Sequence, residues 1–155
     1  MKKLLIMLIA TAMLVSFAAA ADVSAAGAQT SNDGYTVTFA NPAQSLSSAG
    51  SLGDIHIDTV QSTIEQGETQ WPSSYVSGHY TSIYISLVWQ DSSNSLRLKV
   101  YAPDGHTFGY YYDDSDGSHN GKIQLTISDP DGIPEGTWYY EVYGDSVSGT
   151  ESYSI

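Results

Sequence analysis

The chain has 155 residues, no cysteine, and 17 acidic side chains against five Lys and Arg, a formal net charge of −12 at pH 7. The lack of cysteine excludes a disulfide framework and a thiolate metal centre. The acidic balance opposes nucleic acid and anionic membranes as partners and favours cations, although it also serves plain solubility in a salty medium.

Met1-Lys2-Lys3 is a basic start, and the apolar stretch from Leu4 to Phe17 is short for a membrane span. Small residues follow at Ala18 to Ala21, so residues 1–21 read as a secretory signal peptide cut just before Ala21 or Asp22. An uncleaved anchor is the alternative. Cleavage removes Lys2 and Lys3 and leaves Arg97, Lys99 and Lys122 as the cations. The mature chain is expected to be soluble, secreted or at the cell surface, with no membrane contact.

Residues 22–53 are rich in Ala, Ser and Gly and read as a flexible leader, with one possible edge strand in the alternating Tyr35 to Phe39. Residues 54–155 form the expected folded domain. Alternation of apolar and polar residues predicts strands at Ile55 to Val60, Gln70 to Val76, Ser82 to Trp89 and Ser95 to Ala102. It predicts further strands at Thr107 to Tyr112, Lys122 to Ile127, Gly136 to Tyr143 and Ser152 to Ile155. Pro103-Asp104-Gly105 and Asp131-Gly132 supply turns, the glycines taking positive φ. No amphipathic helix follows the signal. The fold class is all-β, an antiparallel β-sandwich in a single domain.

The same alternation assigns faces. Ile83, Ile85, Leu87 and Trp89 share one face, and Leu96, Leu98 and Val100 another. Trp138, Tyr140 and Val142 point inward, which leaves Tyr139, Glu141 and Tyr143 outward, together with Arg97, Lys99 and Tyr101.

Ser62-Thr63-Ile64-Glu65-Gln66-Gly67-Glu68-Thr69 leads to an aromatic strand ending at Val76-Ser77-Gly78. A hydrophobic strand to Trp89 follows, then Leu96 to Gly105, Gly136 to Gly144, Val147-Ser148-Gly149 and Tyr153. This ordered series, over roughly the last three-fifths of the chain, resembles the pre-peptidase C-terminal domains of bacteria and archaea. The resemblance implies a jelly-roll-like sandwich, usually appended to exported enzymes and generally non-catalytic, assisting secretion, stability or binding. It also implies kinship with collagen-binding domains, some of which bind calcium and engage their target through surface tyrosines. The chain departs from the pattern at Ser95-Leu96-Arg97-Leu98, where many members carry an Asp-Leu-Asp-Leu step.

Two constellations carry chemistry. Asp113, Asp114, Asp116 and Asn120 crowd one glycine-containing loop, with Asp129 and Asp131 in a second, and hard oxygens on tight turns suit calcium. The pattern is not an EF-hand, because Ile123 stands where its late Glu is required. The same residues are also good turn formers. Tyr101, Tyr111, Tyr139 and Tyr143 form the second constellation, an outward platform for a polysaccharide or an extracellular protein. Tyrosine is equally a favoured strand residue.

Enzyme signals are thin. Gly144-Asp145-Ser146 resembles a protease nucleophile turn, with His56 and Asp58 upstream, but Val147-Ser148-Gly149 does not supply the oxyanion-hole glycine. The four histidines lack zinc-site spacing, and no two glutamates are marked out as a glycosidase pair. The expectation is a binding or stabilising module, with a cell-envelope structural component and a small hydrolase as alternatives.

Overall fold

A computed structural model describes residues 29–30, 33–39 and 59–155. The signal peptide, most of the leader and the larger part of the expected Ile55 to Val60 strand, with His56 and Asp58, lie outside these residues. Among the described residues there are eleven strands and no helix. They are β1 (Gln29–Thr30), β2 (Thr36–Phe39), β3 (Gln61–Glu65), β4 (Thr69–Gln70), β5 (Ser73–Val76) and β6 (Tyr80–Trp89). There follow β7 (Ser95–Tyr101), β8 (Thr107–Tyr111), β9 (Lys122–Ile133), β10 (Gly136–Ser146) and β11 (Thr150–Ser154).

Two antiparallel sheets result. The first runs β1-β2-β9-β6-β11-β3, and the second runs β4-β10-β7-β8, with β5 also paired to β10. Their inner faces bury the residues that the alternation assigns to a core. Ile83, Ile85 and Leu87 of β6 and Ile123, Leu125 and Ile127 of β9 come from the first sheet. They meet Leu96, Leu98 and Val100 of β7 and Trp138, Tyr140 and Val142 of β10 from the second. Full burial of each such aliphatic side chain contributes about 1.5–3 kcal/mol. The protein is an all-β sandwich held by this single core.

Three local departures from simple alternation matter for the surface. The expected Gln70 to Val76 strand is broken into β4 and β5, because Pro72 has no N–H to give to a ladder. Both pieces still pair with β10, and the Pro72 carbonyl accepts the Tyr140 N–H. The expected strand from Lys122 continues to Ile133, with Asp129-Pro130-Asp131-Gly132 absorbed as a bulge: Ser128 pairs with Ser82 and Ile133 with Tyr80.

The third departure lies in β8. Val100 pairs with Phe108 and Leu98 with Tyr111, so one residue of β7, Lys99, faces two of β8, Gly109 and Tyr110. The bulge includes Gly109, whose φ is 106° and where an added Cβ would lie 2.8 Å from the Leu98 carbonyl oxygen. The bulge turns Tyr111 inward, 6% exposed and edge-on to Phe39, instead of outward as the alternation predicts. Burial pushes its phenol up to about 12. Tyr110 takes the outward place.

The Gln-Gly-Glu step has a structural task. The Gln66 side chain donates to the carbonyls of Gly144 and Asp145 and accepts the Val147 N–H at 2.7 Å. Backbone bonds tie Gly67 to Gly144 and Gly144 to Glu68. Gly144 itself passes so close to the Glu65 carbonyl that no Cβ fits there.

Candidate functional site

The outer face of the second sheet gathers side chains from β5, β7, β8 and β10 and from the break between β4 and β5. Strand register sets Tyr139 opposite Tyr101, Glu141 opposite Lys99, and Tyr143 opposite Arg97, all on the solvent side. Trp71, at the Pro72 interruption, reaches across to Tyr101, the ring centroids 5.4 Å apart. Tyr75 of β5 lies opposite Thr137, one step along the same face. Exposure is high for side chains of this size: Tyr75 69%, Trp71 54%, Tyr139 49% and Tyr110 43%.

Polar groups stand between the rings in fixed positions. Tyr101 donates to Glu141 Oε2 at 2.6 Å, and Tyr110 donates to Oε1 at 3.4 Å. The carboxylate raises the Tyr101 pKa, because ionising the phenol would forfeit that bond. The Arg97 guanidinium sits 3.9 Å from the Tyr143 ring centre and 4.6 Å from that of Tyr110. Its Nη1 is 3.7 Å from Asp145. Lys99 Nζ lies 5.0 Å and 5.1 Å from the Tyr101 and Tyr110 ring centres. Two of the three cations expected in the mature chain therefore share one aromatic face with two carboxylates. The face offers flat apolar surface together with charged donors and acceptors.

Of the four tyrosines that the sequence singles out, Tyr101, Tyr139 and Tyr143 lie on this face, and Tyr111 lies in the core. Trp71, Tyr75 and Tyr110 belong to the face and are not marked by the sequence reasoning. A usable signal existed for Tyr75, which alternates with the buried Val76. Trp71 beside a strand-breaking proline and Tyr110 beside a bulge carried none.

The acidic loops separate into two places. Asp113 is buried, and its Oδ1 accepts the N–H groups of Asn120, Gly121 and Lys122 at 3.0–3.3 Å. Its Oδ2 lies 3.8 Å from His119 Nδ1. An oxygen committed to three N–H donors organises its loop instead of facing a cation. Asp114 is exposed. Asp116 Oδ2 and Asn120 Oδ1, in contrast, are shielded from solvent without a hydrogen-bond partner, which fits ligation of a hard cation. Calcium takes about six to eight oxygens, so carbonyls and water would have to complete the set. Among the described residues no group of three or more His, Cys, Asp and Glu side chains is placed to hold a metal.

Asp129 and Asp131 do not join that loop. They sit in the bulge at the far end of β9, with Asp129 Oδ1 accepting the Asp131 N–H at 2.9 Å. At about 3.3 Å per residue, the seven residues from Lys122 to Asp129 put the two clusters on the order of 23 Å apart. One ion cannot bridge them. At this far end Asp104 instead accepts from Tyr35 at 2.7 Å and pairs with His106 at 2.9 Å, with Asp33 3.4 Å from the other ring nitrogen.

Ser146 pairs with Ser95 at the end of β10, and Asp145 is engaged by Arg97, so the Gly144-Asp145-Ser146 step serves a clamped strand end. A cleft of about 550 Å³ lies on the other sheet between Thr63, Val88 and Ser152.

These features define an antiparallel β-sandwich whose second sheet exposes an aromatic and charged face. No protein-family model matches the chain. An uncharacterized protein of Archaeoglobus fulgidus is 48% identical over 60 residues, covering 39% of this chain and 84% of the archaeal protein. The chain belongs to one family with that archaeal protein.

Proposed function

We propose that the protein is an exported, non-catalytic β-sandwich module that docks an extracellular polymer on the outer face of its second sheet. The observation that carries this reading is the concentration of Trp71, Tyr75, Tyr110 and Tyr139 on one face, all well exposed. Single exposed aromatics are ordinary, but a contiguous patch of large ones is a docking surface in the making. Tyrosine and tryptophan give wide contact area at little conformational cost and carry polar tips that tolerate water when the partner is absent.

Membership of the pre-peptidase C-terminal class is part of the proposal. The run of motifs from Ser62 to Tyr153 supports it, and the tasks found for Gln66 and Gly144 give two of those motifs a physical reason. In this reading the module assists a partner outside the cell. Calcium belongs to the proposal in a narrower form than the sequence suggests: the candidate ligands are Asp116 and Asn120, backed by loop carbonyls.

The test is retention of the purified mature protein on a panel of immobilised extracellular polymers: neutral polysaccharides, acidic polysaccharides and fibrous proteins. The control is Tyr84→Ala, an exposed tyrosine on the opposite sheet. The reading expects at least one polymer to retain the protein and Trp71→Ala with Tyr139→Ala to release it, while Tyr84→Ala does not. Retention by none of them, or release by Tyr84→Ala alone, removes the reading.

A further inference from the structure

Resting on that reading, the chemistry of the face narrows the partner: we infer that it takes a neutral polysaccharide, its sugar rings stacked on Trp71, Tyr139 and Tyr75 and its hydroxyls bonded by Glu141, Lys99 and Arg97. Three features of the face favour such a partner.

The first is shape. The exposed rings stand on a pleated sheet, Tyr139 directly opposite Tyr101 and Trp71 packed 5.4 Å from Tyr101. A pyranose presents a flat patch of C–H bonds ringed by hydroxyls, and that patch packs against an aromatic face while the hydroxyl rim stays free to bond. A partner polypeptide would instead bring apolar anchors that require pockets at the centre of the interface. Among the described residues, a cleft of about 550 Å³ lies on the other sheet, beside Val88 and Ser152.

The second is the sign of charge. Arg97 and Lys99 are answered on the same face by Asp145 and Glu141, so the site holds two cations and two carboxylates and little net charge. A sugar hydroxyl both donates and accepts, and adjacent hydroxyls can satisfy a carboxylate and an ammonium at once. A polyanion would be drawn to the two cations but repelled by Glu141, by Asp145 and by the chain's net charge of −12.

The third is pre-organisation. The Glu141 carboxylate is held by Tyr101 at 2.6 Å and approached by Tyr110 at 3.4 Å, and Arg97 is sandwiched between the rings of Tyr110 and Tyr143. Groups already fixed lose little freedom when a ligand arrives. Hydroxyl-bearing chains are individually weak ligands and gain most from such a site.

The experiment is a titration of the mature protein with soluble neutral chains (glucomannan, xyloglucan and chitin oligomers), with alginate and with gelatin, at low and high sodium chloride. The inference expects a neutral chain to bind. Its affinity should change less than about twofold with salt, because no net charge is neutralised. Tyr139→Ala should lower it about tenfold, the loss of one stacked ring, and Glu141→Gln should also lower it while the protein stays folded. Binding to alginate alone, with steep loss in salt, overturns the neutral-polysaccharide inference and leaves the docking face intact. Binding to gelatin alone does the same in favour of a polypeptide. No binding to any chain overturns the inference and the polymer-docking reading together.

Discussion

The Arg97 guanidinium lies 3.9 Å from the centre of the Tyr143 ring, directly across the β7–β10 pairing, and also 3.7 Å from Asp145. A planar cation can lie flat on a ring and present an edge to a carboxylate, which an ammonium cannot do. Arg97→Lys is therefore expected to cost about 0.5–1 kcal/mol, read from the denaturant midpoint. On a Tyr143→Leu background the same change should cost much less. An equal cost on both backgrounds would mean that Arg97 stabilises by packing its stem alone.

Gln66 makes a sharper case because its amide faces carbonyls on one side and an N–H on the other. Gln66→Ala should destabilise by about 1–3 kcal/mol, leaving the Gly144–Val147 turn without its partners. Gln66→Glu keeps the acceptor but sets a carboxylate against two carbonyl oxygens, and it should be no better tolerated at neutral pH. Equilibrium unfolding of both variants checks this. Wild-type midpoints for both would show that the clamp is incidental.

The contrast between these two residues indicates what was legible in the sequence. Strand alternation was enough to assign the inner faces of β6, β7 and β10, because burial enforces a period of two over seven or more residues. It failed at β8, where a bulge at Gly109 and Tyr110 opens a Tyr-Tyr-Tyr run and reverses which ring faces the core. It also failed at Asp129-Pro130-Asp131-Gly132, whose turn chemistry is spent on a bulge within β9. The outward face of Tyr139 and Tyr143 followed from the pattern. The presence of Trp71 there depends on the break at Pro72 between β4 and β5, which no local period encodes.

Tyr111 and Tyr139 should therefore behave in opposite ways. Tyr111→Ala removes a buried ring packed on Phe39 and is expected to cost about 3–5 kcal/mol. Tyr139→Ala, half exposed, should stay within about 0.5 kcal/mol of wild type. Thermal melts of the pair decide it. Similar losses would place Tyr139 in the core after all.

Asp104 and His106 give a pH signature. The hydrogen bond to Asp104 raises the His106 pKa above its ordinary 6.5. Partial burial pushes the Asp104 carboxyl up, but the bonds from Tyr35 and His106 outweigh it and hold it below its ordinary 3.8. The His106 contribution is complete below pH 6.5 and fades as pH rises through its raised folded value. The Asp104 contribution is present above pH 3.8 and fades as pH falls through its depressed one. His106→Gln should thus lower the melting midpoint near pH 5.5 and have little effect near pH 9, roughly the bounds of histidine titration. A deficit independent of pH would assign the residue a packing role.

Calcium has its own test. A ligand that binds only the folded state raises the melting midpoint with its concentration. Calcium should do so against a chelator at fixed ionic strength, and Asp116→Ala with Asn120→Ala should remove the shift, whereas Asp129→Ala should not. An equal rise with sodium would mean simple screening of the acidic surface.

The docking face carries its own fluorescent reporter. Of the three tryptophans, Trp89 and Trp138 are buried and Trp71 alone is exposed, against Tyr101 on the proposed docking face. Acrylamide quenching of tryptophan emission, taken with and without a polymer that retains the protein, reads the environment of Trp71. Docking on this face would shield Trp71, so the quenchable fraction should fall towards that of Trp71→Phe. Tight binding with quenching unchanged would contradict it and move the docking surface to another part of the sandwich.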